Sequence, residues 1–159
     1  MMDSKGISFV ELIVVISIIG ILAGALGHSY QDWAQRYAVE AATRLIYSDL
    51  QKARISAVDK NCTHFAVLND FSYEISEDSN GSGTIDSGDS VWPAFPKQSE
   101  YRIVKNGSGN KIYFHQDGQL APSRTIRLES DCDPDRNCIK ISSTRIVMGK
   151  YLGGACQPL

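Results

Sequence analysis

Residues 1–27 of the 159-residue chain read MMDSKGISFVELIVVISIIGILAGALG, and this stretch decides the fold of the N-terminal part. From Ile7 to Gly27 the 21 residues contain one charged side chain, that of Glu11. An α-helix of that length extends about 30 Å, the thickness of the hydrocarbon core of a bilayer. Lys5 precedes the run and the next basic residue is Arg36, which predicts a cytoplasmic N-terminus and an exported remainder. We therefore predict a transmembrane helix over 7–27.

Two other interpretations compete for this stretch, a secretory signal peptide cleaved within Leu22-Ala23-Gly24-Ala25 and a plain single-pass anchor. Neither explains Glu11, because an unpaired carboxylate inside a membrane costs about 3 kcal/mol or more. A cut between Gly6 and Ile7 would supply a partner for it. The new α-amino group of Ile7 would lie at the depth of the Glu11 carboxylate of a neighbouring subunit, and a buried pair of opposite charges is tolerable. This pattern predicts a subunit that stacks on copies or relatives of itself.

The run from Lys5-Gly6 through Ile7-Ser8-Phe9-Val10-Glu11-Leu12 resembles the type IV prepilin (class III) signal of type IV pilins and type II secretion pseudopilins. The resemblance implies that prepilin peptidase removes a cytoplasmic leader, residues 1–6, by cleaving after Gly6. It also implies N-methylation of Ile7 and an assembly role for Glu11. The usual first mature residue in that family is Phe, and here it is Ile. Implied partners are other subunits, prepilin peptidase, membrane lipid and an inner-membrane assembly platform, with the C-terminal domain in the bacterial periplasm.

Residues 28–60 predict a second, amphipathic half of the same helix. Positions 31–60 contain neither Pro nor Gly and are rich in strong helix formers. An apolar stripe recurs at steps of three to four residues, and it consists of Ala34, Ala38, Ala42, Leu45 or Ile46, Leu50, Ala53 and Ala57. We predict one helix from Ile7 to Asp59 whose second half packs its stripe on a globular domain.

Residues 61–159 change from helical spacing to short runs typical of strands, separated by turn signals such as Asn106-Gly107 and Asp117-Gly118. The predicted strands are 63–68, 71–75, 101–104, 111–114, 125–128, 138–141 and 144–147. Alternation such as Ile-Arg-Leu favours antiparallel sheets with one solvated face. The predicted class is α+β, a pilin-like fold with a long helix packed on a sheet of six or seven strands in a periplasmic β-rich domain.

The C-terminal half resembles the minor pseudopilin GspH and minor pilin FimT group. The matching residues are Phe114 with Gly118, Thr125-Ile126 with Leu128, Ile139 with Ile141-Ser142, and Arg145. The resemblance implies a minor subunit at or near the tip of a type II secretion pseudopilus or a type IV pilus. Some relatives bind DNA through a Gly-Arg-x-Arg motif, and the corresponding Thr144-Arg145-Ile146-Val147 lacks its glycine and second arginine. A DNA-binding minor pilin for natural transformation is therefore the alternative.

Composition excludes several other classes. The chain is 43% hydrophobic and 21% charged with a net charge of −2, which is unlike a disordered tail, a collagen or a strongly basic nucleic-acid coat. Residues 70–96 carry six Asp or Glu and no Lys or Arg, whereas residues 97–159 carry ten Lys or Arg against six acidic residues. His28, His64 and His115 lie in different elements, and no catalytic motif occurs. We predict that the chain is not an enzyme.

The four cysteines belong to the exported part, where disulfides form. The Asp-Pro-Asp-Arg-Asn segment between Cys132 and Cys138 suits a short turn, so we favour a Cys132–Cys138 disulfide. Cys62–Cys156 would then tie the start of the domain to its C-terminal region. Three connectivities are open to four cysteines, and spacing alone does not decide among them.

The loop Asp78-Ser79-Asn80-Gly81-Ser82-Gly83-Thr84-Ile85-Asp86-Ser87-Gly88-Asp89 has the spacing of a twelve-residue calcium loop. Oxygen donors stand at positions 1, 3, 5, 7, 9 and 12, which are Asp78, Asn80, Ser82, Thr84, Asp86 and Asp89. Gly83 stands at the sharp turn of position 6, and Asp89 replaces the usual glutamate, a resemblance to dockerin-type loops. We predict a Ca²⁺ site that rigidifies the domain. The other interpretation is an acidic, Gly/Ser-rich turn that binds nothing.

Overall fold

The computed structural model describes residues 8–107 and 109–158, with the backbone alone for residues 25–29. One helix, α1 (Phe9–Asp59), precedes eleven strands in this part of the chain. The strands are β1 (His64–Leu68), β2 (Ser72–Glu77), β3 (Ser90–Val91), β4 (Lys97–Gln98), β5 (Arg102–Lys105), β6 (Lys111–Phe114), β7 (Leu120–Ala121), β8 (Arg124–Glu129), β9 (Cys138–Ile141), β10 (Ile146–Leu152) and β11 (Ala155–Pro158). The chain divides into two compact units, Met1–Gln35 and Arg36–Leu159.

The end of α1 is set by a left-handed residue. Asn61 has φ +50°, and the amide of Cys62 donates to the carbonyl of Ala57 at 3.1 Å. This six-to-one hydrogen bond around a left-handed residue is the Schellman arrangement, and Asn tolerates the conformation better than most residues. The predicted helix end at Asp59 is confirmed. The predicted start at Ile7 lies outside the described residues.

Two antiparallel sheets make up the β region. Sheet A has the order β3-β2-β1-β6-β7, and β4 pairs with β2 along the edge that β3 also uses. Sheet B has the order β11-β10-β9-β8-β5. The expected α+β class is confirmed, and the single sheet of six or seven strands is wrong.

The division into two sheets arises because β5, which precedes β6 in the chain, pairs with β8. The larger number of strands comes from short elements that the sequence pattern missed. The strands β3, β4 and β7 are two residues long, too short to show a periodicity. The hairpin of β10 and β11 turns at Gly153-Gly154, both with positive φ. A Gly-Gly pair is a recognised signal for a two-residue hairpin, so this strand pair was accessible from the sequence.

The core lies between the second half of α1 and the sheets. The buried face of α1 consists of Val39, Thr43, Ile46, Leu50, Ala53 and Ala57, none more than 2% exposed. The opposing sheet residues include Ile75, Ile112, Leu128 and Ile139. The predicted stripe is confirmed from Ile46 onward. Of the two residues offered at that step, Leu45 is 47% exposed, because its neighbour takes the inward position.

One charged side chain lies within that buried face. The carboxylate of Asp49, 3% exposed, accepts from the Tyr73 hydroxyl at 2.7 Å and from the Lys97 ammonium at 2.6 Å. Lys97 also lies 4.9 Å from the centre of the Phe95 ring. A buried carboxylate needs such partners because desolvation of an unpaired charge is costly. Asp49 thereby joins α1 to β2 and β4.

Candidate functional site

The first half of α1 is apolar on all sides and exposed. Every residue from Ser8 to Gly24 is exposed. The large apolar ones are between 47% and 75% exposed, and they are Phe9, Val10, Leu12, Ile13, Val14, Val15, Ile16, Ile18, Ile19, Ile21 and Leu22. A helix that is hydrophobic all round is stable only when lipid or other protein covers it. This surface is the strongest candidate for an interaction site in the chain.

Glu11 lies in the first turn of α1. There its negative charge interacts favourably with the unpaired amides of the helix N-terminus. Among the salt bridges between described residues, none involves Glu11. The predicted cleavage and methylation positions, Gly6 and Ile7, lie outside the described residues.

In residues 8–107 and 109–158, α1 included, no helix has both the length and the hydropathy required to cross a bilayer. The span predicted over 7–27 extends beyond this part of the chain at Ile7, and the side chains of residues 25–27 are not described.

The acidic loop between β2 and β3 is organised by its own aspartates. Asp78 is 6% exposed, and its two carboxylate oxygens accept from the amides of Ser82 (2.9 Å) and Gly83 (2.8 Å). Gly83 has φ +70°, as expected for the sharp turn at position 6. The Ser82 amide also donates to Asn80 Oδ1 at 3.0 Å. The first half of the loop therefore folds around the Asp78 side chain.

The second half of the loop is held by Asp86 and Asp89. Asp86 accepts from the amide of Gly88 (2.7 Å) and from the side-chain amide of Asn80 (2.9 Å), and these hydrogen bonds lower the pKa of Asp86. Asp89 Oδ2 accepts from the Asp86 amide at 2.9 Å. Thr84 contributes a carbonyl that accepts from the Ser82 hydroxyl. Across the described residues, no group of three or more His, Cys, Asp or Glu side chains is arranged to hold a metal ion. The calcium site stays a prediction.

The cysteine pairing differs from the prediction. Cys138 on β9 and Cys156 on β11 form a disulfide with a Cα–Cα distance of 5.9 Å, and Cys62 and Cys132 are free thiols. The predicted Cys132–Cys138 and Cys62–Cys156 pairs are therefore wrong. Strand β10 pairs with β9 on one side and with β11 on the other. Gly149 of β10 lies opposite Cys138, and Tyr151, two residues later, lies opposite Cys156, so the return of β11 brings Cys156 close to Cys138. This pairing was not predicted from the sequence because β11 was not among the predicted strands.

The free thiol of Cys62 is held near β2. Its Sγ donates to the carbonyl oxygen of Asp78 at 3.0 Å. Burial, followed by the nearby carboxylates of Glu77 and Asp78, raises the pKa of the Cys62 thiol. A raised pKa leaves little thiolate at neutral pH, so this cysteine is a poor nucleophile.

The two histidines whose side chains are described lie in different environments. His64 is fully buried, with Nδ1 3.0 Å from the carbonyl oxygen of Cys62 and its ring edge-on to Trp92. Nε2 of His64 lies 3.7 Å from Glu77. His115 is exposed in the turn between β6 and β7. The side chain of His28 lies outside the described residues.

A basic cleft lies on the face of sheet B that is turned away from the core. It has a volume of about 270 Å³ and is lined by Lys140, Ser142, Arg145, Val147 and Pro158. Lys140 pairs across the sheet with Val147 and with Thr125. These cross-strand partners share one face. The predicted motif residue Arg145 thus lies beside a lysine that the motif does not contain.

Sequence reasoning missed two of these features. Asp49 falls within the apolar stripe, between Ile46 and Leu50, and a charged residue at a core position is a signal for a buried ion pair. Lys140 and Arg145 lie on the two predicted strands that Ser142-Ser143 connects, so antiparallel pairing would have placed them together. Lys97 gave no signal, because its strand has two residues.

The fold and the N-terminal pattern together define a subunit of the pilin type. A family model for the prokaryotic N-terminal methylation motif matches residues 1–27, and a model described as type II transport protein GspH matches residues 42–145, more than half of the chain. The chain belongs to the GspH family of type II transport proteins. It is a minor pseudopilin or pilin that assembles with other subunits of that kind, and its N-terminal motif indicates a membrane-anchored pilus subunit. No curated protein and no solved structure matches the chain.

Proposed function

We propose that the chain is a minor subunit of a type II secretion pseudopilus or a type IV pilus, located at or near the tip. In this proposal, prepilin peptidase cleaves after Gly6 and methylates Ile7. Residues 7–27 anchor the subunit in the inner membrane until an assembly platform extracts it, with residues 61–159 in the periplasm. The role is structural and not catalytic.

The observation that carries this proposal is the contrast along α1. The buried face of α1, from Val39 to Ala57, packs within the chain, whereas Phe9 to Leu22 leave large apolar side chains 47% or more exposed. Such a surface in water is unfavourable by roughly 25 cal/mol for each Å² of apolar area. Lipid before assembly and neighbouring helices after assembly would each cover it. The tip position rests on the likeness to minor subunits alone.

The proposed partner of Glu11 is the α-amino group of Ile7 in an adjacent subunit. Cleavage creates that cation, and both groups would lie in an apolar environment where each alone is costly. This arrangement makes assembly depend on processing. An uncleaved subunit would offer no amine at that position.

Mass spectrometry of the full-length protein isolated from membranes tests the proposal. We expect an N-terminus at Ile7 that carries one additional methyl group. A Gly6→Val variant should remain uncleaved. The matched control is Gly20→Ala, since a Cβ at Gly20 meets no atom within 4 Å, and it should be processed normally. An N-terminus at Met1, or one that follows Ala23 or Ala25, would contradict the proposal.

The second candidate function is binding of DNA for uptake. The cleft favours it, because it brings together two cations, Lys140 and Arg145. Binding of duplex DNA to the full-length protein in detergent, followed by gel shift over a salt series, separates the two functions. Micromolar binding that weakens steeply with salt would favour the DNA receptor. Absence of a shift would leave the structural role.

A further inference from the structure

The turn between β9 and β10 fixes the geometry of the basic cleft. The amide and the hydroxyl of Ser142 both donate to the carbonyl oxygen of Arg145, at 2.9 Å and 3.0 Å. Lys140 stands opposite Val147 in the ladder. Arg145 and Lys140 are therefore held at one cleft by a closed turn and a paired strand. Its remaining wall is apolar, from Val147 and Pro158.

The positive charge of this cleft is not compensated within the described residues. Neither Lys140 nor Arg145 forms a salt bridge there, and no acidic residue lines the cleft. Other cations of the domain do have acidic partners, such as Lys97 with Asp49 and Lys150 with Asp133. Two cations of like sign at one cleft repel each other, and an anion placed between them removes that repulsion.

The same chain carries a surface of the opposite sign. The loop Asp78–Asp89 follows β2 of sheet A, whereas the cleft belongs to sheet B. Asp86 is exposed in that loop, and the Gly88 amide, followed by Asn80 and Ser82, lowers the pKa of its carboxyl group. The carboxylate therefore stays ionised at neutral pH and in moderately acidic solution.

We propose that the Lys140–Arg145 cleft binds an aspartate or glutamate side chain presented by an exposed acidic loop of an adjacent subunit. This inference rests on the proposed role as an assembled subunit. The occupant is a carboxylate-bearing loop of another subunit, and loop 78–89 is the segment of that chemistry on this chain. A contact between two different patches is heterologous, and where the rotation between subunits does not close a ring it extends an assembly in one direction.

The cleft fits a carboxylate better than a nucleic acid. Duplex DNA gains affinity from contacts between many phosphates and a row of cations, and this cleft offers two. No aromatic ring lines it as a stacking surface. The next cation along the face, Arg127, is already paired with Glu129 at 3.3 Å.

The test measures binding of a fluorescent peptide with the sequence of residues 77–90 to the full-length protein in detergent micelles. Fluorescence anisotropy is recorded at low salt and with a chelator, so that no calcium occupies the peptide. We expect Lys140→Gln with Arg145→Gln to weaken binding about tenfold, the effect of losing two exposed ion pairs. The matched control is Arg36→Gln with Lys111→Gln, two exposed cations elsewhere, which should leave binding unchanged.

Charge reversal sharpens the test. A peptide with lysine in place of Asp78, Asp86 and Asp89 should not bind the natural protein. It should bind a Lys140→Glu, Arg145→Glu variant. Near-ultraviolet circular dichroism of each variant reports whether the fold is retained, which we expect because both side chains are exposed.

Three results would overturn the inference. One is equal binding of the peptide to the cleft variant and the control variant. Another is failure of the reversed pair to bind. The third is displacement of the peptide by a short DNA duplex whose binding requires Lys140 and Arg145. That result would assign the cleft to nucleic acid. None of these results depends on cleavage at Gly6, so the N-terminal mass spectrum still decides the proposed function independently.

Discussion

The two halves of α1 contain comparable apolar side chains in opposite environments. Between Phe9 and Leu22 the large apolar residues are 47–75% exposed, whereas the buried face of α1, from Val39 to Ala57, is at most 2% exposed. The second half turns one apolar face to the sheets, which bury it, although Leu45, Ile55 and Val58 on its other faces are 47–66% exposed. The first half is apolar all round, so no single surface of its own chain could cover it. A helix can thus serve as a core element and as an interaction surface within one run of residues.

The two halves also differ in whether their carboxylate has a partner within the chain. Asp49 has its partners within the chain, Tyr73 and Lys97. Glu11 has no salt-bridge partner among the described residues, and the proposed function gives it one in a neighbouring subunit. The contrast separates stability from assembly, and substitutions in each half should affect one and not the other.

The largest expected effect is on the packed stripe. Leu50→Ala should lower the free energy of unfolding by about 3 kcal/mol, because a fully buried leucine leaves a cavity when truncated. Leu22→Ala, at a side chain that is 57% exposed, should change it by less than about 0.5 kcal/mol. Urea unfolding of the full-length protein in detergent, followed by tryptophan fluorescence, measures both. Similar losses for the two variants would remove the distinction between the halves.

A second comparison concerns the two carboxylates. Asp49→Asn keeps an acceptor for Tyr73 but leaves the partly buried Lys97 ammonium without its counter-charge, and it should cost about 2 kcal/mol. Glu11→Gln should leave the unfolding free energy unchanged within about 0.5 kcal/mol while reducing the fraction of the protein recovered with assembled pili or pseudopili. Co-sedimentation with sheared fibres measures that fraction. Normal recovery of Glu11→Gln would count against the assembly role of Glu11.

The Tyr73 hydroxyl should make the packed half sensitive to alkali. Burial, followed by the hydrogen bond to Asp49, raises the pKa of Tyr73 above its usual value. The unfolded chain ionises this tyrosine near pH 10, as in model peptides, while the folded chain retains the proton. The stability that this group contributes is therefore complete below about pH 10 and is lost as the pH rises further.

Tyr73→Phe should cost about 1 kcal/mol at neutral pH and should make stability fall less between about pH 9 and about pH 11 than it does in the natural protein. The control is Tyr30→Phe, at a residue that is 66% exposed, which should leave the alkaline limb unchanged. Thermal melts across that pH range provide the comparison. If the stability of Tyr73→Phe falls with rising pH as much as that of the natural protein, another group controls the loss of stability in alkali.

The smallest expected effect is that of calcium on the stability of the β region, through the loop between β2 and β3. The loop begins at Asp78, whose amide donates to the carbonyl of Thr63 just beyond α1. A filled site at twice its dissociation constant would add about 0.6 kcal/mol to the stability. We expect calcium to raise the melting midpoint relative to chelator. Asp89→Asn should reduce that rise, and Asp117→Asn, outside the loop, should not. Identical midpoints with calcium and chelator would leave an acidic turn that binds nothing.

Sequence patterns alone predicted several elements of the fold. The end of α1 at Asp59, the stripe from Ile46 to Ala57 and seven of the strands follow from periodicity and turn residues, because each is encoded by neighbours in sequence. The candidate assembly segment was also accessible, since a carboxylate within an apolar run is conspicuous. The two-sheet division was not, because it depends on which strands pair, and β5 pairs with β8 whereas the next strand along the chain, β6, pairs with β1.

What the sequence determined by itself is local: an apolar run with Glu11 in it, an amphipathic continuation, and an alternation typical of antiparallel strands. The tertiary structure alone decided which distant residues meet. It paired Cys138 with Cys156 and not with Cys132, because the return of β11 along β10 sets the distance between thiols. It likewise brought Lys97 to Asp49, 48 residues away. Contacts of this kind depend on strand order and register, which arise from the packing of the whole core and are not encoded in any short segment.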